Sequence, residues 1–278
     1  MSDQNFTSPI PSIPALRYIS WFSCGAASAT ATKLALEEYG KENVRVVYLD
    51  TGAEHPDNVR FLAECQDWFG QEIEQAKSSK YDSIWDVFEQ RRYLNGPGGA
   101  LCTSEMKRMV AESMLDWGPD QQVEIFGYTS EEEARVERFM AHNTERKIDP
   151  ILIRRGVTKS QCLGAVAAAG IELPAMYKLG YNNNNCIGCV KGGAGYWNKI
   201  REDFPEVFQR MAKLERSVGK DNKGASILRR RVKGKSQQLF LDELPKDFGK
   251  DVKPVPMDCG IMCDPDYVDE DDSGFGHD

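Results

Sequence analysis

Short apolar runs rich in β-branched and aromatic residues alternate with stretches of helix formers through the first half of the chain. Residues 17–22 (RYISWF) and 44–49 (VRVVYL) read as buried strands. Between them, good helix formers from about Ala27 to Tyr39 predict a helix stopped by Gly40. A second helix is expected to start at Pro56 and run to about Phe69, closed by Gly70. Residues 123–126 (VEIF) and 150–153 (PILI) add a third and a fourth strand, and Thr158 is placed to cap a helix that reaches Ala169 before Gly170. Alternating strands and helices predict an α/β fold, a Rossmann-like parallel sheet with flanking helices.

Beyond Cys189 the character changes to a helical stretch from about Pro205 to Val218, a Gly/Lys turn and a basic segment, Arg229–Lys235. The expected organisation is a lead-in over 1–14, a sheet domain over 15–190, a Cys-containing C-terminal appendage over 191–263 and an acidic tail over 264–278.

Composition adds little to that picture and removes some alternatives. The chain has 278 residues, 41% hydrophobic and 28% charged, as in an ordinary globular protein. No apolar run approaches the roughly 20 residues that cross a bilayer, and the N-terminus lacks the basic start and apolar centre of a signal peptide. A cytoplasmic protein with no membrane partner is expected. The net charge of −8 is concentrated at the C-terminus, where Asp264, Asp266, Asp269, Glu270, Asp271, Asp272 and Asp278 occur without a single Lys or Arg. That composition predicts a solvated, disordered end. The body before it is nearly neutral and can accept a polyanion at a local basic patch. Eight cysteines in a reducing compartment point to metal or redox use for some of them.

The first strand runs into Ser23-Cys-Gly-Ala-Ala-Ser28 and then a helix. Gly25 lets backbone approach an anion, Ser23 and Ser28 offer hydroxyls, and the unpaired N–H groups of a helix start attract negative charge. Asp50, ending the second strand, falls beside the same crevice, where open α/β sheets bind ligands. A tight turn using small residues for packing explains the same six residues equally well. No Gly-Lys-Ser/Thr follows, so this is not a Walker A loop.

Several segments carry a resemblance in fixed order. They are the 23–28 loop, Asp50-Thr-Gly-Ala-Glu-His-Pro56, Cys102-Thr-Ser-Glu-Met-Lys-Arg108, Gly127-Tyr-Thr-Ser-Glu-Glu-Glu-Ala-Arg135 with Arg138, Pro150-Ile-Leu-Ile153, Pro174-Ala-Met-Tyr-Lys-Leu-Gly180 and Cys186-Ile-Gly-Cys189. Over roughly positions 17 to 190 the chain resembles the PAPS (phosphoadenosine phosphosulfate) reductase family of the adenine nucleotide α-hydrolase, or PP-loop ATP pyrophosphatase, superfamily. The resemblance implies a nucleotide, ATP or PAPS, in the crevice. Its contacts would be Ser23, Gly25, Ala26, Ala27, Ser28, Asp50, Thr51, Gly52 and Gly127, with magnesium as a companion ion.

Cys186-x-x-Cys189 has a chelating spacing, preceded by the turn-forming run Asn182–Asn185, and thiolates suit iron–sulfur clusters or zinc. A thioredoxin-like redox pair has the same spacing, although such a pair opens a helix after a strand. Cluster-containing adenylyl-sulfate reductases resemble this chain in placing an earlier Cys motif before the Cys-x-x-Cys. The resemblance therefore implies a [4Fe–4S] cluster on Cys102, Cys186 and Cys189. The fourth ligand would be Cys259 or Cys263, or a site left open for a substrate sulfur. Leu101 stands where those reductases carry an adjacent cysteine. Cys259-Gly-Ile also resembles the C-terminal nucleophile motif of PAPS reductases, with Met262 in place of the family His and Cys263 following. Cys65 and Cys162 fall inside predicted helices and are expected in the core, and Cys24 is expected to pack beside the loop.

Arg135 and Arg138, three apart on a predicted helix, share a face that suits a phosphate or sulfate, or pairs with Glu131 and Glu132. Arg229–Lys235 carries five positive charges and suits either a nucleic-acid backbone or a bare solvated turn, the turn being the plainer expectation.

Three functions fit these features. The first is ATP-dependent, pyrophosphate-releasing activation of a nucleic-acid or small-molecule acceptor for sulfur transfer. The second is reduction of PAPS or adenylyl-sulfate to sulfite with a thioredoxin-like reductant, and the third is a non-catalytic nucleotide or Fe–S sensor. Cys259, Cys263, Arg135 and Arg138 are the catalytic candidates. The sequence favours the first function.

Overall fold

A computed structural model describes residues 17–96, 99–115, 122–219 and 224–249. Its centre is a five-stranded sheet, parallel throughout, in the order β3 (Glu74–Lys77), β2 (Val44–Asp50), β1 (Arg17–Phe22), β4 (Gln122–Ile125), β5 (Ile148–Asp149). β1 lies in the middle, paired to β2 on one side and to β4 on the other. The chain thus winds outward first in one direction and then in the other, which is the doubly wound arrangement of a Rossmann-like α/β fold.

The period of the strands sends alternate side chains to opposite faces. Ile19, Trp21, Val47 and Leu49 meet α5 (Met109–Met114) and α6 (Glu133–His142) on one face, with Phe126, Val136 and Phe139. Phe22, Val44, Val46 and Tyr48 meet α1 (Ala26–Tyr39), α2 (Asn58–Phe69) and α8 (Lys159–Ala168) on the other. Both faces are covered, so β1 and β2 read as near-continuous apolar runs. α1 is buried along most of its length because Ala26, Ala29, Ala31 and Ala35 let it lie close between the sheet and α8. Thr158 caps α8 as expected, accepting the amide of Gln161.

Three expected elements are different. Residues 150–153 do not form a strand: β5 is Ile148–Asp149, and α7 (Ile151–Arg154) follows at once. Pro150 has no N–H to continue a ladder, while its carbonyl accepts the amide of Arg154 at 2.9 Å, and Ile151 and Leu152 bury fully under α1. The basic segment is not a bare turn but most of a hairpin, β6 (Leu228–Val232) and β7 (Lys235–Leu239). α2 begins at Asn58 rather than Pro56, because the amide of Asn58 first closes a turn onto His55.

A separate core lies beside the sheet. Trp197 from α10 (Ala194–Asp203) is fully buried at its centre, with Met211 of α11 (Pro205–Ser217), Leu239 and Leu241. The same core takes in Trp85 and Phe88 of α3 (Ile84–Arg91), Met106, Met176 of α9 (Ala175–Lys178) and Cys186. The C-terminal helices and hairpin thus share one core with residues from the first 190.

Candidate functional site

The turn from β1 into α1 is made by Cys24, which adopts φ 55°, a left-handed conformation that a residue with a Cβ enters at a cost. Gly25, read from the sequence as the permissive position, has φ −103°. Asn184 holds Cys24 in place, its amide Nδ2 donating to the Cys24 carbonyl at 2.7 Å and to Asn58 Oδ1 at 2.8 Å. Burial pushes the Cys24 thiol well up. Cys24 therefore packs, as do the buried Cys65 and Cys162.

Ser28 closes the loop from inside. Its Oγ donates to the Gly25 carbonyl at 3.0 Å and accepts the amides of Ser23 at 3.1 Å and Gly25 at 3.4 Å. Ser23 Oγ donates to it as well, at 3.0 Å. The Ala26 amide, at the start of α1, donates to Tyr177 Oη at 3.3 Å. Three amides thus converge on two hydroxyl oxygens at a helix N-terminus, a geometry that favours an anion.

Over this loop lies a cavity of about 940 Å³, within the range of sites that hold a nucleotide-sized ligand. It sits at the C-terminal ends of β1, β2 and β4, where the winding reverses between β1 and β4. Ser23, Gly25, Ala26, Ala27, Ser28 and Gly127 all line it. Gly127 is there for packing as much as for a ligand: a Cβ on it would lie 2.5 Å from the Ser28 nitrogen and 2.8 Å from the Ala27 carbonyl carbon.

The end of β2 contributes differently from expectation. Asp50, Thr51 and Gly52 are not among the lining residues described, and Glu54 is. Asp50 turns back to accept the Gly52 amide at 2.8 Å. Gly52 has φ +66° and passes so near Asp82 that a Cβ would lie 2.3 Å from its carbonyl oxygen. Glu54 accepts Thr51 Oγ1 at 2.6 Å and the amides of Thr51 and Ala53. Nothing in the sequence singled out Glu54, because its partners are its neighbours Thr51 and Ala53 and the distant Cys186. His55 closes the turn before α2, its Nδ1 accepting the Asp57 amide at 3.1 Å.

Three cations reach the cavity walls. Lys107 comes from a π-helical turn, Ser104–Arg108, set between α4 (Leu101–Thr103) and α5. Lys159 opens α8 and donates to Asn183 Oδ1 at 2.6 Å. Arg135 lies with its guanidinium carbon 5.0 Å from the Tyr128 ring and pairs with Glu132 at 2.7 Å. Arg138, three residues along α6, is exposed and is not among the lining residues described. The two arginines expected to act together are i, i+3 neighbours on α6, and Arg135 is the one among the lining residues described.

Cys186 is the one cysteine among the described residues that lines the cavity. Its Sγ lies 3.0 Å from Thr51 Oγ1 and 3.8 Å from Glu54 Oε1. Tyr196 shapes the Cys-x-x-Cys turn, its Oη accepting the amides of Gly188 and Cys189 and donating to the Cys186 carbonyl at 3.2 Å. Burial raises that phenol far above its usual range. Gly188 supplies the φ of +80° the turn needs. Cys102, half-buried, packs against the same core as Cys186.

Among the described residues, no three His, Cys, Asp or Glu side chains are grouped to hold a metal ion. None of the six described cysteines forms a disulfide. Of the cluster ligands that the resemblance implies, Cys186 and Cys189 are buried and Cys102 is half-buried. Cys259 and Cys263 lie outside the described residues, as does the acidic tail. No helix among the described residues is long and apolar enough to cross a membrane. No protein-family model matches the chain, and no curated protein matches it significantly.

Proposed function

We propose that this chain is a PP-loop enzyme of the PAPS-reductase type that binds ATP in the switch-point cavity and activates an acceptor for sulfur transfer. The observation that carries the reading is the cavity itself, which has the amides and hydroxyls of the 23–28 loop beneath it and Lys107, Arg135 and Lys159 on its walls. Those donors suit a polyphosphate that displaces Glu132 from Arg135 and lies away from the lining carboxylates Glu54 and Glu131, and the apolar side chains of Leu49, Phe126, Leu163 and Leu173 suit a base and a ribose.

In the reaction, an oxygen of the acceptor attacks the α-phosphorus of ATP. The bond from that phosphorus to the bridging oxygen breaks, and pyrophosphate leaves with the electron pair. A sulfur nucleophile then displaces AMP from the adenylylated acceptor. The chain's own cations stabilise the charge that accumulates on the phosphates, and the loop amides hold them in register. In this reading Cys186, which lines the cavity, is the thiol that meets a ligand, and the Glu54 carboxylate 3.8 Å from its Sγ accepts its proton.

The test is calorimetric titration of ATP against PAPS, followed by a pyrophosphate-release assay with candidate acceptors. Tighter binding of ATP with release of pyrophosphate supports the proposal. Sulfite from PAPS, with an S-sulfonate on Cys259, would replace it with reduction. Iron and sulfide analysis of anaerobically prepared protein tests the ligand set that the resemblance implies, Cys102, Cys186 and Cys189 with Cys259, Cys263 or an open site as the fourth.

A further inference from the structure

The β6–β7 hairpin has no part in the cavity, and its composition is not explained by packing. Only its root is buried, through the Leu228–Leu239 pair. From Arg229 to Gln238, every residue but Val232 that lies on a strand is exposed. The tip is a two-residue turn with Lys233 at φ 49° and Gly234 at φ 74°, the geometry that matches the twist of a tight antiparallel ribbon. An isolated two-stranded ribbon is marginal in water, and this one is secured through its ends. The carboxylate of Glu215, fully buried, accepts the amide of Ile227 before β6 at 2.6 Å and that of Leu241 after β7 at 2.7 Å.

The register sorts the side chains. Leu228, Arg230 and Val232 share a face with Lys235, Gln237 and Leu239, and that face turns to the core at its root. The other face holds Arg229, Arg231, Ser236 and Gln238, with no apolar and no acidic residue. Arg229 Nε donates to Ser236 Oγ on the paired strand at 2.8 Å. Lys233 and Lys235 extend the positive charge to the tip. Among the described residues, none of these five cations makes an ion pair, and the nearest acids in sequence, Asp242 and Glu243, are held by Arg216 at 2.6 and 2.7 Å.

We propose that this ribbon is a docking surface for duplex DNA, contacting phosphates with Arg229, Arg231 and the tip lysines. A protein partner would need an apolar centre with aromatic anchors, and the outer face has none. Arginine-rich, wholly polar surfaces with amide and hydroxyl donors are what phosphodiester backbones and base edges select. A two-stranded ribbon fits the major groove of B-form DNA, whereas the major groove of A-form RNA is too narrow for side chains to read. The inference is independent of what the cavity binds.

The experiment is fluorescence anisotropy of the full chain with a short labelled duplex DNA, a duplex RNA and a single strand, over a salt series. The wild type is expected to bind duplex DNA most tightly. In the triple variant Arg229→Gln, Arg230→Gln, Arg231→Gln, the slope of log K against log salt should fall by about 2–3, with a loss of about tenfold or more in affinity at low salt. Titration with ATP and the melting temperature serve as controls and should not move. Should the triple variant melt early, Lys233→Asn with Lys235→Gln at the exposed tip takes its place, with a slope smaller by about 2. Failure of the wild type to bind duplex DNA, an unchanged slope in a folded variant, or tighter binding of duplex RNA would each overturn the proposal.

Discussion

Gly127 stands so near Ser28 that a Cβ on it would lie 2.5 Å from the Ser28 backbone nitrogen and 2.7 Å from its Cα. The end of β4 and the start of α1 are therefore in backbone contact, and the 23–28 loop rests against a position with no side chain. Gly127→Ala must push α1 away from β4. Overpacking of this kind costs about 1–3 kcal/mol, and the loop is the part displaced. A lowered melting temperature together with weakened ATP binding is expected. An unchanged melt would show that the backbone contact is not made.

Gly25 gives the opposite pattern. A Cβ there meets Tyr177 Oη at 3.4 Å and Ser23 Oγ at 3.7 Å, and its φ of −103° is open to any residue. Gly25→Ala should melt within about 0.5 kcal/mol of wild type, as substitutions without strain do. If ligand phosphate approaches the loop backbone, the same methyl should weaken ATP binding about tenfold or more, a cost of about 1.4 kcal/mol. Calorimetric titration beside a thermal melt separates the two effects, and unaltered ATP affinity would move the ligand away from the loop.

β1, α1, β2 and α2 were legible because each carries its own period and its own stop at Gly40 or Gly70. β3 was not, because Glu74–Lys77 (EQAK) has no apolar run and becomes a strand only by pairing with β2 at the sheet edge. The hairpin was missed for a related reason: its apolar residues, Leu228, Val232 and Leu239, are too few and too far apart to leave an alternation to read. At the site, Ser23, Gly25 and Ser28 could be found because they are neighbours in sequence. Asn184, Tyr177 and Tyr196 could not, since two of them reach the loop from 160 and 151 residues away and the third acts through backbone groups. Spacing likewise joined Arg135 to Arg138, although the cavity takes only the first.

That difference makes a test. Arg135 lines the cavity against Tyr128, and Arg138 is exposed. Arg135→Ala should weaken ATP binding about tenfold or more, because a charge-assisted contact contributes about 1.5–3 kcal/mol. Arg138→Ala should change it less than about twofold, an effect within about 0.5 kcal/mol. Equal losses from the two variants would restore the paired clamp expected from the sequence.

The cysteines should divide by burial. Burial pushes the Cys65 thiol up to about 12 and the Cys162 thiol up to about 11, and raises Cys24 well above its ordinary value. Thiolates are the reactive form, so native protein treated with iodoacetamide near neutral pH should leave these three unmodified. Cys102, half-buried, should be modified ahead of them. Peptide mapping by mass spectrometry reads the order, and early labelling of Cys162 would contradict the packing of α8 under α1.

Glu215 ties stability to pH through the roots of the hairpin. Burial raises its carboxyl from 4.5 to about 7, against the amides of Ile227 and Leu241, which favour the charged form; Asp242 adds to the rise and Arg216 opposes it. The sign follows from proton binding. Between 4.5 and about 7 the folded chain holds a proton that the unfolded chain has lost, so stability falls as pH rises through that window. The contribution is at most about 3 kcal/mol, fully present below the lower value and gone above the upper one. Glu215→Gln cannot titrate, and its amide NH2 turns a donor toward one of the two backbone N–H groups. That variant should be less stable than wild type by about 1–3 kcal/mol at mildly acidic pH. Its own stability lacks the Glu215 slope, so the gap to wild type should narrow steadily toward neutrality. Denaturant unfolding at intervals across the window measures the gap directly. A gap that widened as pH rose would mean that Glu215 is held as a carboxylate, with the two amides outweighing burial.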